Sequence, residues 1–127
     1  MVDALFHKRW RRWTVLVLAL TFGLAALICW FTLTPQDLPK SDAFPSDKIA
    51  HGLAFLALIL PVATLRPRHL WWVLPSAVTL GAAIELLQPF LGRQGEWTDL
   101  GANFAGLVVG LLVGFALHHL RLRPLSP

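Results

Sequence analysis

The chain has 127 residues, of which 56% are hydrophobic and 14% are charged. A soluble domain carries about a quarter charged residues, so this composition excludes an ordinary soluble protein and indicates a membrane protein. The formal net charge of +4 does not indicate nucleic-acid binding, because the basic residues flank apolar segments and form no patch interleaved with aromatic side chains. The single cysteine, Cys29, excludes an intramolecular disulfide.

Four apolar segments are long enough to cross a bilayer as helices, which takes roughly 20 residues each. They cover residues 14–33, 49–65, 70–91 and 100–120. The first follows the basic stretch HKRWRRW and lacks a small-residue cleavage site, so it is predicted to be a retained span rather than a signal peptide. Pro61 lies in the last third of the second segment, where it predicts a kink.

The connections between the segments predict how the helices are arranged. Two of the connections are short, which favours antiparallel neighbours, whereas residues 34–46 contain three prolines and are expected to extend over the surface. The prediction is an all-α membrane protein, in which residues 1–127 form one domain of four transmembrane helices in an antiparallel bundle.

The basic residues predict the orientation of this bundle. Cytoplasmic loops of membrane proteins carry an excess of Lys and Arg. Placing both termini in the cytoplasm leaves only Lys40, Lys48 and Arg93 outside and puts the other basic residues inside. Those are Lys8, Arg9, Arg11, Arg12, Arg66, Arg68, Arg121 and Arg123.

Polar side chains occur at one depth in the last three segments. They form three pairs whose members are three or four residues apart and therefore share a helix face. Lipid cannot satisfy such groups, so they are expected to face one another, roughly 6 to 9 Å below the outer helix ends. The pairs are Asp47 with His51, Glu85 with Gln88, and Asp99 with Asn103.

Small residues on the fourth segment predict close helix packing. Gly106, Gly110 and Gly114 form two overlapping GxxxG steps, a pattern that lets membrane helices approach closely. The pattern fits packing within the bundle as well as a homo-oligomer formed through these glycines.

Three segments resemble the VanZ-like family, named for a teicoplanin-resistance protein. They are DKIAHGLAF (residues 47–55), IELLQPFLGR (84–93) and DLGANFAGLVVG (99–110), and they are similar to the family segments D-K-x-x-H, E-x-x-Q-x-x-x-x-R and D-x-x-x-N-x-x-G. The resemblance implies a single VanZ-like domain in a bacterial inner-membrane protein. In some members this domain is linked to lowered teicoplanin susceptibility. The resemblance does not imply a particular reaction.

One functional hypothesis is a binding pocket that opens outward beside the lipid head groups. Basic side chains would bind phosphate or carboxylate, and amides would bind hydroxyl or amide groups. The ligand would be an amphiphilic molecule, either a lipid-linked cell-wall intermediate or a lipoglycopeptide. The candidate binding residues are Asp47, Lys48, Gln88, Arg93, Asp99 and Asn103.

Two further hypotheses remain open from the residues alone. His51 and Glu85 could act as a general acid–base pair on a lipid-linked substrate, or the whole polar set could serve only as hydrogen bonds between helices. A metal bound by the carboxylates and His51 is not predicted, because the spacing matches no known ligand motif. No cofactor is predicted either.

Overall fold

The computed structural model describes residues 2–34, 46–92 and 95–122. Four α-helices make up almost all of this part of the chain, with two 3₁₀ segments, Pro67–His69 and Gln88–Leu91, beside the third. The described residues contain no strand, so the predicted all-α class is confirmed. The helices are α1 (Val2–Leu33), α2 (Ser46–Leu65), α3 (Leu70–Leu87) and α4 (Trp97–Leu122).

All four helices are long and apolar enough to cross a membrane. The candidate spans include every predicted segment and extend all four at the N-terminal end, where polar and aromatic residues precede the apolar segment. α1 runs back through the basic stretch to Val2, which accords with the good helix propensity of Lys and Arg. The spans are Trp10–Leu33, Asp47–Leu65, Pro67–Leu91 and Trp97–Leu122.

α2 continues as an α-helix through Pro61, the position of the predicted kink, and ends at Leu65. Most of the proline-containing connection, residues 35–45, lies outside the described residues, as does Arg93.

α2 and α4 approach each other most closely, and the glycines of α4 are the reason. A methyl group on Gly106 would overlap the backbone of Gly52, and Gly110 and Gly114 pack against α2 in the same way, the latter on Ala63. The contact points advance together along both sequences, so α2 and α4 run in the same direction. The glycine face of α4 is thus occupied within the chain, and contact between two copies through the same glycines would require α2 to move away.

The apolar core lies along α2, which contacts each of the other three helices. Phe55, Ile59 and Val62 are fully buried there. Gly81 of α3 faces the Phe55 ring, and a methyl group at this position would lie 3.3 Å from it. A small residue at this point therefore lets α3 pack close to α2, just beside the polar residues described below.

The close contact at Gly106 generates a prediction about stability. Gly106→Ala should lower the free energy of unfolding by about 1–3 kcal/mol, the usual effect of overpacking a filled interior, because the new methyl group meets backbone that cannot rotate away. Unfolding in detergent micelles, followed by circular dichroism, measures the change.

Gly101→Ala is the matched control on the same helix. A methyl group there meets nothing within 4 Å, and alanine has the higher helix propensity, so the variant should be as stable as the parent or slightly more stable. Equal stability of the two variants would contradict the packing described for α2 and α4.

Candidate functional site

Three helices bring the predicted polar residues together at one end of the bundle, here called the site end. His51 of α2, Glu85 of α3 and Asn103 of α4 are all buried there, with 5%, 8% and 1% of their surface exposed. His51 lies next to Gly52, and Asn103 lies one turn before Gly106. The close contact of the two glycines therefore places these two side chains opposite each other.

His51 forms its hydrogen bond with Asn103 rather than with Glu85. The His51 Nδ1 atom lies 3.0 Å from the Asn103 Oδ1 atom. An amide oxygen can only accept, so Nδ1 is the donor, and in the neutral imidazole Nε2 then carries the lone pair. The Glu85 Oε1 atom is 3.7 Å from Nδ1, which is too far for a hydrogen bond. The proposed acid–base pair is therefore adjacent but not hydrogen-bonded.

Lys48 connects the first turn of α2 to the start of α4. Its Nζ atom donates to Glu96 Oε2 at 2.8 Å and to Asp99 Oδ1 at 3.1 Å. The Glu96 backbone N–H in turn donates to Glu85 Oε2 at 3.3 Å. Lys48 and Glu96 are about half exposed whereas Asp99 is buried, so the pair with Asp99 is the less screened by solvent.

Asp47 and Asp99 lie within the first turns of their helices, which begin at Ser46 and Trp97. Neither is the residue that precedes its helix, so neither is an N-cap. Their carboxylates and His51 each offer a ligand atom, and these atoms lie within 4.8 Å of one another. The three residues therefore form a group that could hold a metal ion.

Gln88 is buried at the same end but contacts a different helix. Its Nε2 atom donates to the backbone carbonyl of Thr32 on α1 at 3.3 Å. Gln88 follows α3 directly, and its backbone N–H still donates to the Ile84 carbonyl, so Glu85 and Gln88 keep the helical spacing between them. The Gln88 side chain nevertheless contacts α1 rather than Glu85.

Three buried polar atoms at the site end have no hydrogen-bond partner among the described residues. They are Glu85 Oε1, Gln88 Oε1 and Asn103 Nδ2. Leaving a buried donor or acceptor unpaired costs about 1–3 kcal/mol. The site therefore offers two acceptors and one donor that a bound molecule could satisfy.

An apolar groove of about 420 Å³ lies between α1 and α2 and reaches the site end at Asp47 and His51. Along α2 it extends from Asp47 to Ala57, which is roughly 15 Å at 1.5 Å per residue. Its polar end is formed by Asp47, His51 and Thr32. The other residues lining it are Leu24, Leu27, Ile28, Phe31, Ala50, Ala54, Phe55 and Ala57.

Glu96 and the wall contributed by α1 belong to the site but were not predicted from the sequence. Glu96 is recognisable only as an acidic residue in the short connection between two spans. Thr32 takes part through its backbone carbonyl, for which a sequence carries no signal.

No family model, no curated protein and no solved structure matches the chain. The functional inference therefore rests on the geometry of the site.

The hydrogen bond between His51 and Asn103 can be tested with a double-mutant cycle. His51→Ala and Asn103→Ala should show a coupling of about 0.6 kcal/mol in unfolding free energy, and at most about 1.7 kcal/mol, the range measured for hydrogen bonds between membrane helices. Unfolding in mixed detergent micelles provides all four free energies.

A cycle that combines His51→Ala with His119→Ala is the control. His119 is exposed at the opposite end of α4, so these two effects should add within about 0.5 kcal/mol. Additivity in the first cycle as well would contradict the hydrogen bond.

Proposed function

We propose that this chain is a multi-pass protein of the bacterial inner membrane that binds an amphiphilic or lipid-linked cell-wall molecule. The polar site binds the head group, and the groove between α1 and α2 holds the hydrocarbon chain. The observation that carries this proposal is that the polar site and the groove are continuous. His51 and Asp47 line the groove, and His51 is also hydrogen-bonded within the polar cluster.

The length of the groove supports a hydrocarbon occupant. A bilayer has a hydrocarbon core of about 30 Å, so a groove of roughly 15 Å reaches from the membrane surface to the middle of the bilayer. That distance is the thickness of one leaflet. A lipid tail can enter such a groove sideways from the membrane, and the apolar walls favour it over water.

The unpaired atoms support a head group that both donates and accepts hydrogen bonds. Glu85 Oε1 and Gln88 Oε1 need donors, and Asn103 Nδ2 needs an acceptor. Hydroxyl groups of a sugar and amides of a peptide meet both needs. Lipid-linked cell-wall intermediates carry such groups on a long hydrocarbon chain.

The orientation is part of the proposal. Arg66 donates from Nε to Thr14 Oγ1 at 2.9 Å and lies over the Trp10 ring, while His118 contacts the Thr64 carbonyl. The end of the bundle opposite the site is thus rich in basic residues. The excess of Lys and Arg in cytoplasmic loops favours a cytoplasmic position for that end and for both termini. Consecutive helices would then alternate in direction, and the site would face outward.

The three VanZ-like segments fit this function. The motif residues Lys48, His51, Glu85 and Asn103 meet at the site end, whereas Arg93 lies outside the described residues. Teicoplanin carries an acyl tail. A protein that binds such amphiphiles, or their cell-wall target, would lower teicoplanin susceptibility and leave susceptibility to vancomycin, which lacks the tail, unchanged.

The proposed orientation predicts a labelling pattern on α4. In a Cys29→Ala background, Trp97→Cys at the site end should react with a membrane-impermeant maleimide on intact cells. Leu122→Cys at the opposite end should react only after the cells are opened. Both positions are exposed, so accessibility within the protein does not differ. The reverse pattern would place the site in the cytoplasm and contradict the proposal.

The groove predicts which lipid remains bound during purification. The wild-type protein should co-purify from mild detergent with a lipid species enriched over the bulk membrane, detected by mass spectrometry of the extract. Ala54→Phe places a ring inside the groove and should reduce that enrichment at least tenfold, which corresponds to about 1.4 kcal/mol.

Ala105→Phe is the matched control, since Ala105 lies in a similar position on α4 but is exposed and does not line the groove. This variant should retain the bound lipid. Equal lipid content in the two variants, or no enriched lipid in the wild type, would contradict the proposed function.

A further inference from the structure

We propose that Asp47, His51 and Asp99 bind one divalent cation at the polar end of the groove. Their ligand atoms lie within 4.8 Å of one another. Protein ligands of a metal such as zinc bind at about 2.0–2.2 Å, so two ligands of one ion lie at most about 4.4 Å apart. The ligand atoms would therefore have to approach one another by up to about 0.4 Å to bind one ion.

The imidazole of His51 is already oriented as a metal ligand. Its Nδ1–H donates to the Asn103 amide oxygen at 3.0 Å, which leaves the Nε2 lone pair free, and no described residue donates a hydrogen bond to it. Metal-binding histidines almost always donate their other N–H to an oxygen in this way, which fixes the tautomer and the ring orientation.

Glu85 provides an independent indication of a missing positive charge. Its side chain is 8% exposed, and its Oε1 atom, which has no hydrogen-bond partner among the described residues, points at the His51 ring from 3.7 Å. A buried carboxylate is stable when it faces positive charge. An imidazole bound to a divalent cation supplies that charge.

The charges of the described residues around His51 also favour a cation. The carboxylates of Asp47, Glu85 and Asp99 gather there, and Lys48 is the one Lys or Arg of the described residues that pairs with any of them. Lys48 contacts Oδ1 of Asp99, so the second oxygen, Oδ2, remains available as a ligand. Asp47 has no ion pair within the described ranges.

The donor set indicates the class of metal. Carboxylates suit Mg²⁺, Ca²⁺ and Mn²⁺, whereas imidazole suits Zn²⁺, Fe²⁺ and heavier ions. Two carboxylates with one imidazole therefore favour Mn²⁺ or Zn²⁺. A cation here would also give a head-group phosphate a positive partner beside the groove; this role rests on the proposed function, whereas cation binding itself does not.

The experiment is a Mn²⁺ titration of the full chain, purified in a neutral detergent after treatment with a chelator. Bound Mn²⁺ loses its six-line electron paramagnetic resonance signal, which gives the amount bound. The wild-type protein should bind about one Mn²⁺ per chain. Asp47→Asn, Asp99→Asn and His51→Gln should each weaken binding at least tenfold. Asp47 is exposed, so its variant tests the site without disturbing the packed bundle.

His119→Gln is the control, because His119 is exposed at the far end of α4 and its loss should leave binding unchanged. If the wild type binds neither Mn²⁺ nor Zn²⁺, the latter added in a parallel titration and measured by elemental analysis, the inference is overturned and Lys48 remains as the counter-ion. Binding that persists in all three site variants would overturn it as well. Lipid is measured in the same samples after the Mn²⁺ titration. Bound lipid in a protein that does not bind Mn²⁺ refutes the cation site and leaves the proposed function standing.

Discussion

The contact between α2 and α4 at Gly52 and Gly106 is the constraint on which the rest of the site depends. Membrane helices associate through packing and hydrogen bonds between helices, because lipid is as apolar as their side chains. A side chain at Gly106 would separate the two backbones. Because Gly106 has no side chain, the helices approach closely, and His51 and Asn103 on either side of the contact come within hydrogen-bonding distance. α3 then adds Glu85, and α1 closes one side to form the groove.

This arrangement explains why an apolar chain keeps polar groups within a span. A charged side chain at the bilayer centre costs about 2.5–3.5 kcal/mol on the insertion scale, but these residues lie near one end of the helices and most of them have partners. Three buried atoms of the site residues do not have partners among the described residues. Because an unpaired buried atom is itself unfavourable, these are the atoms that the proposed ligand would pair.

The fold and the composition of the site could largely be predicted from the sequence. Span length depends on the thickness of the hydrocarbon core, so four apolar segments already predict the four helices. The depth of His51, Glu85 and Asn103 follows from counting residues along a helix, so their meeting at one level was also predictable. The candidate spans begin two to four residues before the apolar segments, because a hydropathy pattern ends where polar residues begin, whereas the helix continues through them.

The sequence by itself determined the number of spans, the depth of the polar residues and the small residues that allow close packing, because each depends only on spacing along one helix. Tertiary structure decided the partners. His51 bonds to Asn103 rather than Glu85, and Gln88 turns to α1 where the α-helix gives way to a 3₁₀ segment. These choices, like the groove between α1 and α2, depend on how far each helix is rotated and how closely it approaches its neighbours. Differences of under an ångström between helices decide a hydrogen bond, and no periodicity in the sequence encodes them.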